Sequence, residues 1–188
     1  MIRKLDYNAP VALTFALLSL IALFLGWVTG GVTTTKLFCV YGSSWGDPLT
    51  YIRLFGHVLG HADLSHYISN MMLFLLLGPI VEEEYGSGKL LMMIAATSVV
   101  TGLVGMLLFP RVGLLGASGV VFMMIILASM VSYRKGRIPI TFIAVALLYL
   151  GQEIHDAVFI TDNISQLSHI VGGVLGLLFG MAFRKGRR

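Results

Sequence analysis

The sequence predicts an all-α polytopic membrane protein, a bundle of six transmembrane helices forming one domain over residues 1–188. Composition, segment length and charge placement carry this reading. Of the 188 residues 57% are hydrophobic and 12% charged, and the mean hydropathy is +0.89, well outside the usage of an ordinary soluble domain. Apolar stretches close to the roughly 20 residues needed to cross a bilayer fall near 10–29, 66–81, 90–109, 115–132, 138–152 and 167–183. The basic residues between them segregate to one side.

The stretch at 10–29 follows Arg3 and Lys4 and shares a basic start with signal peptides. Its apolar run is longer than a signal core and no small-residue cleavage site follows, so it reads as a retained helix. Residues 30–65 form a long outer loop carrying Trp45, Tyr51, Phe55 and histidines 57 and 61, amphipathic residues suited to resting on or in the outer leaflet. The second helix, 66–81, is short and ends in a cytoplasmic turn, Glu82 to Lys89, with Glu82, Glu83 and Glu84 as a solvated helix end. Phe109-Pro-Arg-Val-Gly113 turns on the outer side and leads from the third helix into the fourth. Arg134 to Pro139 turns on the inner side, the interrupted stretch 138–152 follows, and the polar segment Glu153–Gln166 leads to the last helix. The pairs Met71-Met72, Met92-Met93 and Met123-Met124 read as gap-filling core.

Basic residues resist translocation and accumulate in cytoplasmic loops. With the N-terminus inside, Arg3, Lys4, Lys89, Arg134, Lys135, Arg137, Arg184, Lys185, Arg187 and Arg188 are cytoplasmic, and Lys36, Arg53 and Arg111 lie outside. An even number of spans returns the C-terminus to the cytoplasm. The pI near 9.4 therefore reflects topology and anionic lipid headgroups. Basic residues interleaved with aromatics on a solvated face, the footprint of nucleic-acid binding, are not found. The lone Cys39 makes no internal disulfide and reads as a free thiol in the outer loop.

Polar groups at membrane depth are costly and mark function. By this topology Ser118, His169, His66 and Asn70 lie at similar depth near the outer ends of the fourth, sixth and second helices, where they can converge on one water-accessible cavity. His169, Gly172, Gly176 and Gly180 share a helix face, and small residues at that interval let helices approach closely. Gly116, Ala117 and Gly119 surround Ser118, so close contact of the two helices brings an imidazole to a hydroxyl. A neutral histidine can take the proton of a serine hydroxyl. The backbone N–H of Ser118, the His66 imidazole and the Asn70 carboxamide are the candidate donors to an oxyanion, and His66 and Asn70, four residues apart, share a face.

Each residue alone has a plainer reading. A serine among glycines is ordinarily a helix-contact residue bonded back to a carbonyl, and His66 and Asn70 suit a membrane boundary. Taken jointly, the four residues point to chemistry instead. A metal cluster at His57, His61 and His66 is the other chemistry the spacing permits, but no His-Glu-x-x-His is present and Asp63 is the single acidic residue close by. Structural hydrogen bonding of the loop is the better reading, and no metal or other cofactor is expected.

Gly116-Ala-Ser-Gly119, the His66-x-x-x-Asn70 pair and Ser168-His-Ile-Val-Gly-Gly173 resemble, in order and placement, the motifs of the rhomboid family of intramembrane serine proteases. Arg53, the histidines at 57 and 61, and the Glu82–Lys89 turn are similar too. The resemblance implies a six-helix core, a Ser-His dyad without a third acidic member, and cleavage of single-pass membrane proteins near or within their membrane span. By it Ser118 is the nucleophile, His169 the general base, and His66 with Asn70 part of the oxyanion hole, with Gly116, Gly119, Phe122, Gly172 and Gly176 in support. It also suggests that Glu82 ties a cytoplasmic turn.

Two positions depart from the family pattern. Ile52 stands where Trp commonly precedes Arg53, and Phe122 stands where many members have Tyr. Phe122 can still stack on His169. The minimal six-helix length points to a bacterial plasma membrane, with single-span proteins and the bilayer as partners. The rival readings are a proteolytically silent relative that escorts membrane proteins, which retention of Ser118 and His169 argues against, and a small transporter, for which the inner halves of the helices lack charged groups.

Overall fold

The computed structural model describes residues 7–134, 140, 143, 144, 147, 151 and 163–183. Over these it is helical: α1 (Pro10–Val28), α2 (Val32–Leu37), α3 (Pro48–Gly56) with a 3-10 turn at His57–Leu59, α4 (Leu64–Tyr85), α5 (Ser87–Leu108), α6 (Ser118–Arg134) and α7 (Asn163–Ala182). Among them α1, α4, α5 and the Ser165–Ala182 part of α7 are long and apolar enough to cross a membrane, and Ser118–Val131 is a shorter apolar helix. The expected stretch 138–152 and the segment Glu153–Gln166 lie largely outside the described residues.

The ends of α1 and α4 are fixed together. Pro10 at the first turn of α1 has no N–H to satisfy, and Ala9 before it offers no side-chain acceptor. The missing cap comes from α4: the N–H groups of Val11 and Ala12 donate to the two oxygens of Glu82 at 2.9 and 3.1 Å, and the Ser87 hydroxyl donates to the same carboxylate at 2.7 Å. A carboxylate at a helix N-terminus also meets the positive end of the helix dipole. The expectation of a solvated end is thus corrected at Glu82, while Glu83 is exposed and the bond to Ser87 agrees with the suggestion that Glu82 ties this turn. Glu82 is buried, α4 runs on through Tyr85, and the turn shrinks to Gly86, whose φ of 84° suits glycine. From the start of α4, Tyr67 donates its hydroxyl to the Ala16 carbonyl in the second turn of α1 at 3.1 Å.

The core lies among α1, α4, α5 and α6, where Phe74, Leu77, Leu90, Met93, Met123 and Leu127 are fully enclosed. Phe15 of α1 stacks on Phe74 at 4.3 Å. The outward faces carry Leu17, Phe24, Leu76, Leu107, Val174 and Leu178, apolar and exposed as lipid-facing positions are. The methionine pairs divide by helix face. Met123 and Met124 are both core, whereas Met71 and Met93 are buried and Met72 and Met92 are exposed, so the edge of the buried face runs between adjacent residues on α4 and α5.

The segment between α1 and α4, expected as an outer loop, is a folded shelf. Asp47 caps α3 by accepting from the Leu49 N–H, Pro48 starts it, and Asp47 also accepts from Arg53 Nη2 at 2.7 Å, which holds its carboxyl below the usual carboxylate range. Arg53 is buried, donates to the Lys36 carbonyl and the Tyr41 hydroxyl, and lies 4.8 Å over the Tyr41 ring. The opposite side of α3 exposes Tyr51, Ile52 and Phe55 beside Trp45, as in an interfacial helix. Cys39 is a free thiol but buried, with Gly113 against its sulfur, and burial pushes the thiol up.

His57 and His61 fill the interior of this shelf, and burial pushes both imidazoles from an ordinary 6.5 down to about 4. The nearby His66 adds to the effect at His61. Above 6.5 both rings are neutral folded or unfolded. Between 6.5 and 4 the unfolded chain takes up protons that the folded chain refuses, so stability falls with falling pH by about 1.4 kcal/mol per unit for each ring. Thermal melts in detergent should decline from about pH 7 toward pH 4. A flat profile would mean that these rings titrate normally.

Candidate active site

The chain reaches Ser118 by way of the shelf. Val40 and Leu114 exchange both backbone hydrogen bonds, 2.9 and 2.8 Å, and the Gly116 N–H donates to the His57 carbonyl at 2.9 Å. Gly116 has a φ of 121°, and a Cβ there would lie 2.8 Å from His66 Nε2, so both the backbone and the space demand glycine. This conformation cannot belong to a helix. Ser118 is therefore the first residue of α6, which corrects the expected start of this stretch at 115. Its N–H is among the first-turn groups that no helix carbonyl can satisfy.

His169 lies in the second turn of α7 and is buried. A Cβ on Gly172 would run into the Gly119 carbonyl oxygen and lie 2.8 Å from its carbon. One on Gly176 would meet the Met123 carbonyl at 2.6 Å, and Gly180 faces Met130. Partners advance together along both helices. α6 and α7 are therefore parallel and in backbone contact at their starting ends, one turn from His169 and one residue from Ser118. Phe122, one turn after Ser118, stacks on the His169 ring at 4.4 Å with the planes 11° apart. His169 Nε2 and the Ser165 hydroxyl are 3.4 Å apart. Among the described residues the Ser118 hydroxyl, half-buried, makes no hydrogen bond.

From α4, His66 comes up against Gly116. Asp63 caps this helix by accepting from the His66 N–H at 2.8 Å, and the Ala62 N–H donates to His66 Nδ1 at 3.4 Å. In the neutral ring Nδ1 is then the acceptor and Nε2, on the Gly116 side, carries the proton. Asn70 lies one turn on and is buried. Its Nδ2 gives one N–H to the His66 carbonyl at 2.9 Å and keeps a second, while Oδ1 has no partner among the described residues.

The histidines at 57 and 61 bond within the fold, although the buried Nε2 of His61 has no partner among the described residues. His57 Nδ1 lies 3.2 Å from the Arg53 and Leu54 carbonyls, its Nε2 3.3 Å from the Thr101 hydroxyl, and His61 Nδ1 is 3.1 Å from the Leu59 carbonyl. Thr97, Ser98 and Thr101 of α5, buried behind the site, escape a reading of the sequence alone. Their spacing on one face of an otherwise apolar helix is the available signal. Ser165 escapes it too, although it stands one helical turn before His169.

The chain matches the Rhomboid domain over residues 48–186. It is 28% identical to the rhomboid protease GluP of Bacillus subtilis over 176 residues, 89% of this chain and 33% of that protein. It is 26% identical to the rhomboid protease GlpG of Haemophilus influenzae over 139 residues, 72% of this chain and 71% of that protein. To the GlpG of Pectobacterium atrosepticum it is 31% identical over 142 residues, 73% and 50% of the two chains. It thus spans a third of the Bacillus protein and half of the Pectobacterium one. A helical bundle with membrane-length apolar helices, joined to this match across most of its length, makes the chain an integral membrane protein that belongs to the rhomboid family.

Proposed function

We propose that this chain is an active serine endopeptidase that cuts single-pass membrane proteins near or within their membrane span, using Ser118 and His169. The observation that carries the reading is the backbone contact of parallel helices at Gly119 and Gly172, which brings the starting ends of α6 and α7 together. In the first half-reaction Ser118 Oγ attacks the scissile carbonyl while its proton passes to His169 Nε2. The oxygen that becomes negative accepts hydrogen bonds from the Ser118 N–H, His66 Nε2–H and the spare N–H of Asn70 Nδ2. The imidazolium gives its proton to the departing amine, and in the second half-reaction a water, deprotonated by the same ring, attacks the acyl carbonyl, Ser118 Oγ departs, and the ring returns the proton to it.

A peptide bond inside a helix is shielded by its own hydrogen bonding, so the substrate must unwind locally. Gly or Pro in its span should help. The site lies at the helix ends beside the folded shelf, which gives water a route. The distribution of Lys and Arg supports cytoplasmic termini, and the six-helix length a bacterial plasma membrane. The direct test is a fluorophosphonate probe on the detergent-solubilised chain, with the adduct located by mass. Labelling at Ser118 that vanishes in Ser118→Ala is expected. A folded chain that takes no label would instead be a non-proteolytic membrane-protein binder.

A further inference from the structure

The geometry points to Ser165 as a positioning residue that restrains the dyad at rest, an inference that builds on the Ser118 and His169 reading above. A neutral imidazole has a single lone pair. The Phe122 stack fixes the plane of the His169 ring, so the partners of Nε2 must lie near that plane. On the proposed mechanism two hydroxyls call on this nitrogen: Ser118 from α6 at the moment of attack, and Ser165 from one turn earlier on the same helix as the ring. The Ser165 hydroxyl stands 3.4 Å from Nε2. If Nε2 accepts from Ser165, its lone pair is occupied; if Nε2 carries the proton and donates to Ser165 Oγ, it cannot take one from Ser118. Under either tautomer the Ser165 contact and attack by Ser118 exclude each other. Ser165 must swing away, or share the nitrogen, before Ser118 loses its proton.

Removing the hydroxyl should therefore speed the reaction. Ser165→Ala is expected to raise kcat for a single-span substrate, and the rate of fluorophosphonate labelling at Ser118, by about threefold to tenfold, the factor one neutral hydrogen bond carries. KM should not move, and Ser165→Thr, which keeps a hydroxyl, should behave as the unmodified chain. Ser165→Val against Ser165→Thr isolates the hydroxyl at constant shape should the alanine variant melt lower. Folded Ala and Val variants that label at the original rate or more slowly, or that change KM alone, overturn the restraint and leave Ser118 as the nucleophile. If neither the unmodified chain nor any variant labels at Ser118, the proteolytic reading fails and this inference fails with it.

Discussion

His169→Ala is expected to lower turnover of a single-span substrate by several orders of magnitude, on the order of 10⁴-fold, as removal of a base from a serine dyad or triad does. Without the imidazole the Ser118 hydroxyl must give its proton to water, and the leaving amine departs without one. What remains would be the contribution of the proposed oxyanion donors on α4 and α6. The loss should fall on kcat, because His169 is buried and offers little surface to bind substrate. Alanine is the best helix former, and Gly172, Gly176 and Gly180 keep their contacts with α6, so the fold should survive with the loss of the Phe122 stack as its main cost. Cleavage assays with a thermal melt of the same sample decide the matter. Near-normal cleavage by a folded variant would remove His169 from the mechanism.

How far the site is legible in the sequence follows from the physics of each part. The glycines after His169 recur at helical spacing, and that pattern needs no partner to be read; the structure adds which residues of α6 they meet. His66 and Asn70 are legible as a pair because one turn of helix separates them. Contacts made across the chain are not. Nothing near Glu82 says that its carboxylate caps a helix more than 70 residues earlier, and a run of three glutamates after an apolar helix is ordinarily a solvated end. The starting point of α6 is hidden for a similar reason. The apolar run begins at Leu115, but the positive φ at Gly116 and the Val40–Leu114 pairing delay the helix to Ser118. Hydropathy records where apolar residues are and is blind to backbone conformation.

The contact between α6 and α7 makes the second large prediction. Gly172→Val puts a branched side chain where even a Cβ would meet the backbone of Gly119, 2.8 Å from its carbonyl carbon and 3.1 Å from its Cα. Backbone on both sides cannot yield as a flexible side chain would, so the helices must separate. Overfilling of this kind costs about 1–3 kcal/mol, or a fall in melting temperature of several degrees at this chain length. The catalytic effect should be larger. Separation at Gly119 and Gly172 carries His169 away from Ser118, and a displacement of about 1 Å at the reacting atoms is enough for a loss of about a hundredfold. Gly173→Val is the control built into the sequence: it adds the same side chain to the same helix, but among the described residues no neighbouring element lies within 4 Å of its Cβ, so both melting temperature and turnover should stay close to those of the unmodified chain. Equal damage from the two substitutions would mean that helix propensity, and not the approach of α7 to α6, governs the site. Damage confined to Gly172→Val ties the chemistry to the distance between two helix backbones.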